Sequence, residues 1–470
     1  MVRPTNSSAK GGAAHVGSFC LGTTRPDLKE HIKQINRPGS RVRKLLAALS
    51  SFLLGQAALQ TVSILMGLYL VRTLSVNAYA QFGLALGFQA TASILMDLGF
   101  ASTIIPLVGD RHADRALVGK YIRGGKSLRD RAFLILSPVV AVTFLVITHK
   151  QHWGWPIQLG LLGSVLLALY SSSAASYYSV PLLLYRRLRE FYLLQTVSNS
   201  GRILIYVVLN AFGSLNSVTA AGISALNATL NGFLLKREGG KAIDWPEKDD
   251  PAIRKEMIQY ILPALPAILL GAFHGQIALF LISIFGSTVN IAQVVALGRL
   301  GQIFYLLMTF NVVIVEPYVA RLPRARLLTT YFRLIAAALA GGTLLVLIAF
   351  SFPQIFLWVI GPRYAQLQGL IGWVVMTACI NYVAGLIWIM NRSRKWLFWR
   401  GSIAEISLLA AVQIGYLLIF GVRSTRSAIL FNFASSFCYV VAHVYVAILG
   451  FTQRARGEPL DPVRSQIATP

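Results

Sequence analysis

Residues 331–352 read YFRLIAAALAGGTLLVLIAFSF, with one charge, Arg333, in the whole run. Wound as an α-helix at 1.5 Å per residue, the run extends about 33 Å. That just exceeds the roughly 30 Å hydrocarbon core of a bilayer. A barrel strand would alternate apolar and polar positions over about ten residues, and this run does not alternate. It predicts a transmembrane helix.

Working outward from this segment, the same pattern recurs at about 45–71, 78–108, 132–149, 156–184, 191–213, 216–235, 257–285, 290–319, 369–390, 401–420 and 427–450. The sequence therefore predicts an all-α polytopic membrane protein with twelve transmembrane helices. Composition agrees: of 470 residues, 55% are hydrophobic and 13% charged, with a mean hydropathy of +0.62, where soluble domains carry about 25% charged residues. A soluble protein this apolar would lack the polar surface to stay in solution.

The net charge of +26 first raises nucleic acid as a partner, but the placement of the basic residues removes it. With the N-terminus on the cytoplasmic side, the two tails and the even-numbered connections hold 36 of the 43 Lys+Arg. The opposite side holds Arg72, Lys150, Arg363, Arg423 and Arg426. By the positive-inside rule both termini are expected in the cytoplasm, and the charge is left to attract anionic membrane lipids.

The expected organisation is a basic cytoplasmic tail, 1–44, that is no signal peptide; an N-terminal six-helix bundle, 45–235; a linker, 236–256; a C-terminal six-helix bundle, 257–450; and a tail, 451–470. Within it Gly109–Arg131 is expected to form an interfacial helix, and Pro263 and Pro266 to bend the seventh span. Cys20, Cys379 and Cys438 are far apart and give neither a disulfide framework nor metal spacing.

The halves echo one another. Ser75-Val-Asn-Ala-Tyr-Ala-Gln81 matches Thr288-Val-Asn-Ile-Ala-Gln293, and Tyr185-Arg-Arg-Leu-Arg-Glu-Phe-Tyr192 matches Asn391-Arg-Ser-Arg-Lys-Trp-Leu-Phe398, at offsets of about 213 and 206. Six helices per repeat make the repeats parallel, an arrangement that places substrate near the midplane between them.

Polar residues at membrane depth are functional candidates by default. Arg202 shares a face with Gln195, Ser198, Asn199 and Tyr206; Arg299 shares one with Gln302, Thr309 and Glu316; Gln56, Gln60, Ser63 and Gly67 line one side of the first span. Arg202, Arg299, Gln302, Gln56, Gln60 and Asn199 are the candidate substrate-binding residues, the arginines for an anion because the planar guanidinium is always charged and binds bidentately. Asp97, His274 and Glu316 are the candidate ion-coupling residues. The competing reading gives these groups to interhelical hydrogen bonds and ion pairs, Asp97 with one of the arginines. No nucleotide-binding glycine-rich loop and no catalytic constellation is present, so neither an enzyme nor a bound cofactor is expected; an H+ or Na+ gradient is the expected energy source.

Several of these residues fall into a recognisable pattern. Leu68-Tyr-Leu-Val-Arg-Thr-Leu-Ser-Val-Asn-Ala-Tyr-Ala-Gln-Phe-Gly83 followed by Met96-Asp-Leu-Gly-Phe-Ala-Ser102 resembles the N-terminal signature of polysaccharide flippases. Ala296-Leu-Gly-Arg-Leu-Gly-Gln302 with Glu316-Pro317 resembles their eighth helix, and Trp358-Val-Ile-Gly-Pro-Arg-Tyr364 a common external turn. The resemblance is to the Wzx-type branch of the multidrug/oligosaccharidyl-lipid/polysaccharide exporter superfamily. It implies two six-helix bundles in a bacterial cytoplasmic (inner) membrane that translocate undecaprenyl-pyrophosphate-linked oligosaccharide. Polysaccharide polymerase and chain-length proteins are then the expected protein partners. The first span lacks the arginine of peptidoglycan-precursor flippases, which points away from that substrate. The rival readings are a drug/cation antiporter of the same superfamily, whose cavity would be rich in carboxylates, and a membrane polymerase or ligase, which needs catalytic groups and sizeable external loops.

Overall fold

The computed structural model describes residues 38–185, 187–245, 249–262, 265–394, 396 and 398–455. The expected tails over 1–37 and 456–470, linker residues 246–248 and Pro263 lie outside the described residues. Among the described residues every regular element is helical.

Each expected span has a helical counterpart. The N-terminal half contains α1 (Pro38–Thr73), the broken span α2 (Val76–Asp97) and α3 (Phe100–Val108), then α4 (Arg115–Lys150), α5 (Trp155–Leu184), α6 (Leu188–Ala211) and α7 (Ser217–Gly240). A short helix, α8 (Pro251–Ile261), leads to the broken span α9 (Leu265–His274) and α10 (Ile277–Phe285). The chain continues through α11 (Thr288–Gly298), α12 (Gln302–Phe310) and α13 (Glu316–Arg321), which form one interrupted span. It ends with α14 (Arg324–Ser351), α15 (Pro353–Ile360), α16 (Gln368–Ser393), α17 (Trp399–Ile419) and α18 (Thr425–Ala455).

Ten helical segments are long and apolar enough to cross a bilayer, and the bent pair α9–α10 makes eleven. The twelfth is α6, with 24 residues and thus about 36 Å of length. Its hydropathy is lowered by the polar residues that matter most, Asn199 and Arg202 among them. Helix starts follow local chemistry: Ser75 accepts from the Ala78 amide, Asp114 from Leu117 and Asp250 from Ala252, each such cap being worth about 1 kcal/mol.

Two expectations are corrected here. Gly109–Arg131 is not a separate interfacial helix, because after a 3₁₀ turn at Gly109–Ala113 the chain enters α4 at Arg115 and runs unbroken to Lys150. The apolar positions Val118, Tyr121 and Ile122 pack into a core with α3, α8 and Tyr177 of α5, so burial continues the helix through what reads as a basic loop. The seventh span bends by 52° between His274 and Ile277, not at Pro266. That proline occupies the first turn of α9, where no backbone donor is needed.

Residues 51–470 form one unit whose apolar core runs through both halves. Contact between halves is built on small residues of α2. A methyl group at Gly83 would collide with Val295 of α11, and one at Gly87 with Leu279 of α10; the spacing of four lets two helices of the other half settle on one stripe.

The charge asymmetry yields a direct test. Reporter fusions at Arg187, Lys248 and Arg394 are expected to report the cytoplasm, and fusions at Lys150, Gly286 and Gln366 the opposite side; reversal at two sites overturns the topology.

Candidate functional site

The spans that carry the polar residues are interrupted beside them. At the end of α2, Leu98 (φ 45°) and Gly99 (φ 80°) are both left-handed, which frees Asp97 from a continuous helix. In the eighth span, Arg299–Gly301 is a 3₁₀ turn between α11 and α12. In the seventh span, Gly275 and Gln276 separate α9 from α10. These breaks face one another along α2 and enclose two successive cavities.

The first cavity, about 300 Å³, is lined by Gly83, Gly87 and Ala90 of α2, Gly275 and Gln276 at the break, Arg299, Gln302 and Asn432. The Arg299 Nε donates to the Tyr79 hydroxyl at 3.0 Å. Its guanidinium lies where a side chain on Gly67 would stand, Nη1 being 3.0 Å from the position of a β-carbon there. Glycine at 67 therefore makes room for the arginine, which explains why the polar side of α1 ends at that residue. The buried Oε1 of Gln302 has no protein partner.

Arg202, on α6, donates from Nη2 to Asn199 Oδ1 at 2.8 Å, and its Nε is buried without a partner. Asn199 is steadied by Asn227 of α7, at 3.3 Å, and Asn227 accepts from Ser198 at 2.6 Å. The positive charges of Arg202 and Arg299 repel one another, and both act on the Tyr206 hydroxyl. Tyr206 itself is fixed by hydrogen bonds with Ala220 O and Ser224. Among the described residues neither arginine has a carboxylate within ion-pair distance. Arg299 lines the first cavity while Arg202 and Asn199 line neither of the two, and the two like charges from opposite halves act on one another with no carboxylate at ion-pair distance among the described residues.

The second cavity, about 460 Å³, follows toward the basic face and is lined by Ser93, Asp97, Ser102, Arg129, Ser176 and Gly271. Arg129 is 1% exposed. Its guanidinium donates to Ser172 at 2.8 Å, Ser93 at 3.3 Å and Ser176 at 3.4 Å, and stands 3.5 Å from Asp97. Asp97 also accepts from the Tyr177 hydroxyl at 3.0 Å. Sequence reading missed Arg129 because it lies between Lys126 and Arg131 in an apparently cytoplasmic basic run. The faint signal was the serine periodicity of α5, Ser172 and Ser176 four residues apart.

The other expected site residues are scattered. Asp97 is paired with Arg129 and not with Arg202 or Arg299. Glu316 is held in a bidentate pair by Arg392, at 3.0 and 2.6 Å, and lines neither cavity. Gln56 and Gln60 share the α1 face that ends at Gly67 but do not line either cavity. His274 lies at the end of α9, just outside the first cavity.

The end of the molecule with the short connections is closed across the halves. Arg72 donates to the carbonyls of Val359 (3.2 Å) and Trp358 and lies over the Trp358 ring, while Arg363 donates to Leu74 O. Two of the sequence motifs therefore bind each other. Gly361 between them has φ 102°, and a side chain there would press on Arg72, so only glycine suits the turn. Gln151 adds bonds to Ser283 O (2.7 Å), Gly286 O (3.1 Å) and Thr288 (3.0 Å). Gln151→Ala removes three bonds of about 0.5–1.5 kcal/mol each. It is expected to raise labelling of an Ala90→Cys cavity reporter from this end about tenfold with an impermeant maleimide, in a background without the native cysteines. Unchanged labelling would show that the seam does not restrain opening.

No protein-family model matches the chain, and no curated protein sequence does. Solved structures match over most of its length. Lipid II flippase MurJ in an inward closed conformation superposes with a TM-score of 0.61 at 11% identity, covering 87% of this chain and 93% of that one. A multidrug resistance MATE family transporter of the MOP superfamily in an inward-facing conformation gives 0.57 at 14%, covering 84% and 95%. A mutant of the Vibrio cholerae MATE transporter VcmN gives 0.55 at 10%, covering 89% and 98%. With likeness in structure this extensive and identity this low, what is shared is architecture: the chain is built on the twelve-helix, two-bundle fold of the MATE and MurJ transporters.

Proposed function

We propose that the chain is a flippase that moves undecaprenyl-pyrophosphate-linked oligosaccharide across the bacterial cytoplasmic membrane for surface polysaccharide synthesis, driven by an ion gradient. The observation that carries this reading is the pair Arg202 and Arg299, two cations from opposite halves with no carboxylate partner. A diphosphate supplies the missing counter-charge and can accept bidentate donation from each. Gln302, with a free buried carbonyl oxygen, and Asn199 suit the hydroxyl-rich sugars that follow. The polyprenyl tail stays in lipid while the bundles rock about the cavity. Polymerase and chain-length proteins would receive the product, and anionic lipids would hold the basic face.

A drug/cation antiporter is supported equally by the fold but less by the cavity. Such a transporter needs an acid free to meet a cation in its cavity, and the one acid that lines the two cavities, Asp97, is committed to Arg129. A polymerase or ligase has no support in the short connections at the face opposite the basic one. The test is export of lipid-linked glycan in cells carrying Arg202→Gln or Arg299→Gln, with membrane abundance measured in parallel.

A further inference from the structure

The C-terminal half contains a second group of buried titratable side chains that the anion cavity does not use. On α18, one face carries Asn432, Tyr439 and His443, at spacings of seven and four that align them along the helix. His443 is 7% exposed, and its Nδ1 stands 3.9 Å from Glu405 Oε2 on α17. The Tyr439 ring lies 6.0 Å from His443 on one side and 4.2 Å from His274 on the other. Trp388 of α16 covers His443 at 5.5 Å, and Asn391 of the same helix donates to the His443 carbonyl at 2.9 Å.

This chain of side chains ends at the 52° break. His274 is the last residue of α9, its Nδ1 buried and unpartnered, and the next two residues, Gly275 and Gln276, line the arginine cavity. Asn432, at the other end of the α18 face, lines the same cavity. The group is therefore joined to the anion site twice, through the helix break and along α18.

We propose that Glu405 and His443, with Tyr439 and His274 extending from them, form a proton-binding site whose occupancy is transmitted to the arginine cavity through the break between α9 and α10. The inference rests on the transport reading and names its coupling ion as H+. When the site is empty it holds an uncompensated carboxylate in apolar surroundings. One proton converts this to a neutral pair, Glu405 with an imidazolium at His443 or Glu405 protonated beside a neutral imidazole. Neutralising a buried charge changes the packing the helices around it prefer. The donor set suits a proton rather than Na+, because a hard cation needs several oxygens and the group offers one carboxylate, one phenol and two imidazoles. Among the described residues no three His, Cys, Asp or Glu side chains converge on a metal position. The titratable groups facing the site are Cys438 and Tyr439 of α18, Glu405 of α17 and His274 of α9; among the described contacts α16 contributes Trp388 and Asn391, neither of which titrates. Among the described residues no lysine or arginine forms an ion pair with Glu405.

The full chain tests this in two ways. Without any ligand, infrared difference spectra from about pH 5 to about pH 9 are expected to contain a carboxylic-acid band that is lost in Glu405→Gln and whose midpoint moves about one pH unit in His443→Gln. Binding of farnesyl diphosphate is expected to change about tenfold between about pH 6 and about pH 8 in the wild type. Beyond the part due to the ligand's own phosphate ionisation at about pH 6, which every variant shares, this dependence should vanish in Glu405→Gln and His443→Gln with appreciable affinity kept, and binding should be lost at both pH values in Arg299→Gln. His274→Gln provides a second, milder variant should either of the first two misfold, and is expected to flatten the pH dependence as they do. A band that persists in Glu405→Gln, a pH dependence that survives undiminished in all three variants, or affinity that follows Na+ instead of pH overturns the proposal. If wild type binds no farnesyl diphosphate, the diphosphate reading falls, while the infrared result alone decides the proton site.

Discussion

Arg299→Gln and Arg202→Gln are each expected to reduce export of lipid-linked glycan by at least about tenfold while leaving the protein in the membrane near its normal level. A hydrogen-bonded charge contributes about 1.5–3 kcal/mol, which corresponds to roughly 10- to 150-fold in binding. The effect on stability has the opposite sign from that at an ordinary buried arginine. Removing a paired arginine leaves an acid orphaned, but these two arginines have no acid to orphan, and removing one relieves its repulsion with the other. Arg299→Gln loses the hydrogen bond to Tyr79 and Arg202→Gln the one to Asn199, costs of about 1 kcal/mol each. Lysine at either position keeps the charge but not the planar fork, so an intermediate defect is expected. Measuring export beside abundance separates the possibilities. Normal export in both glutamine variants would eliminate the diphosphate role, and low abundance in both would mean that the pair is structural.

The second large effect is expected at Arg129 and concerns stability. Arg129→Met leaves Asp97 with the Tyr177 hydroxyl and removes the one cation at ion-pair distance from it among the described residues. Breaking a buried pair from one side costs about 3–5 kcal/mol; Asp97 retains some exposure, side chain 19%, which places the cost toward the lower end. Membrane abundance and thermal stability in detergent should both fall clearly. Adding Asp97→Asn removes the stranded charge and keeps a hydrogen-bonding partner for Tyr177, so most of the loss should be recovered. Asp97→Asn alone leaves Arg129 with its serines and is expected to be milder. If the double variant is no more stable than Arg129→Met, Asp97 is not the group that makes Arg129 necessary. The two experiments separate the two buried arginine settings: one is balanced by Asp97 within the protein, the other has no carboxylate partner among the described residues.

Read along the chain, hydropathy is a local property, and a run such as 331–352 announces a helix whatever surrounds it. All twelve spans, the basic asymmetry and the two unusual arginines were legible for that reason. So were the short motifs, although not their purpose. Asp97-Leu-Gly99 is a helix end built on two left-handed residues, and the turn around Gly361 is shaped to receive Arg72. Which groups meet is a different kind of information, because it depends on which helix crosses at the same depth. Arg129 sits among Lys126, Asp130 and Arg131 and has every local mark of a solvated loop; only the packing of α4 against α2 and α5 takes it out of water and gives it Asp97 and a ring of serines. Glu316 lay on the same predicted face as Arg299, yet helix breaks and a π-helical turn at Asn311–Val315 carry it away to Arg392. The bend of the seventh span was expected at Pro263 and Pro266; Pro266 sits in the first turn of α9, and the 52° bend occurs at Gly275–Gln276, which line the first cavity beside a buried histidine. The sequence by itself determined how many helices there are and which residues are costly to bury; the tertiary structure alone decided which of those costs the protein offsets internally, because a charge chooses its partner through space and not along the chain.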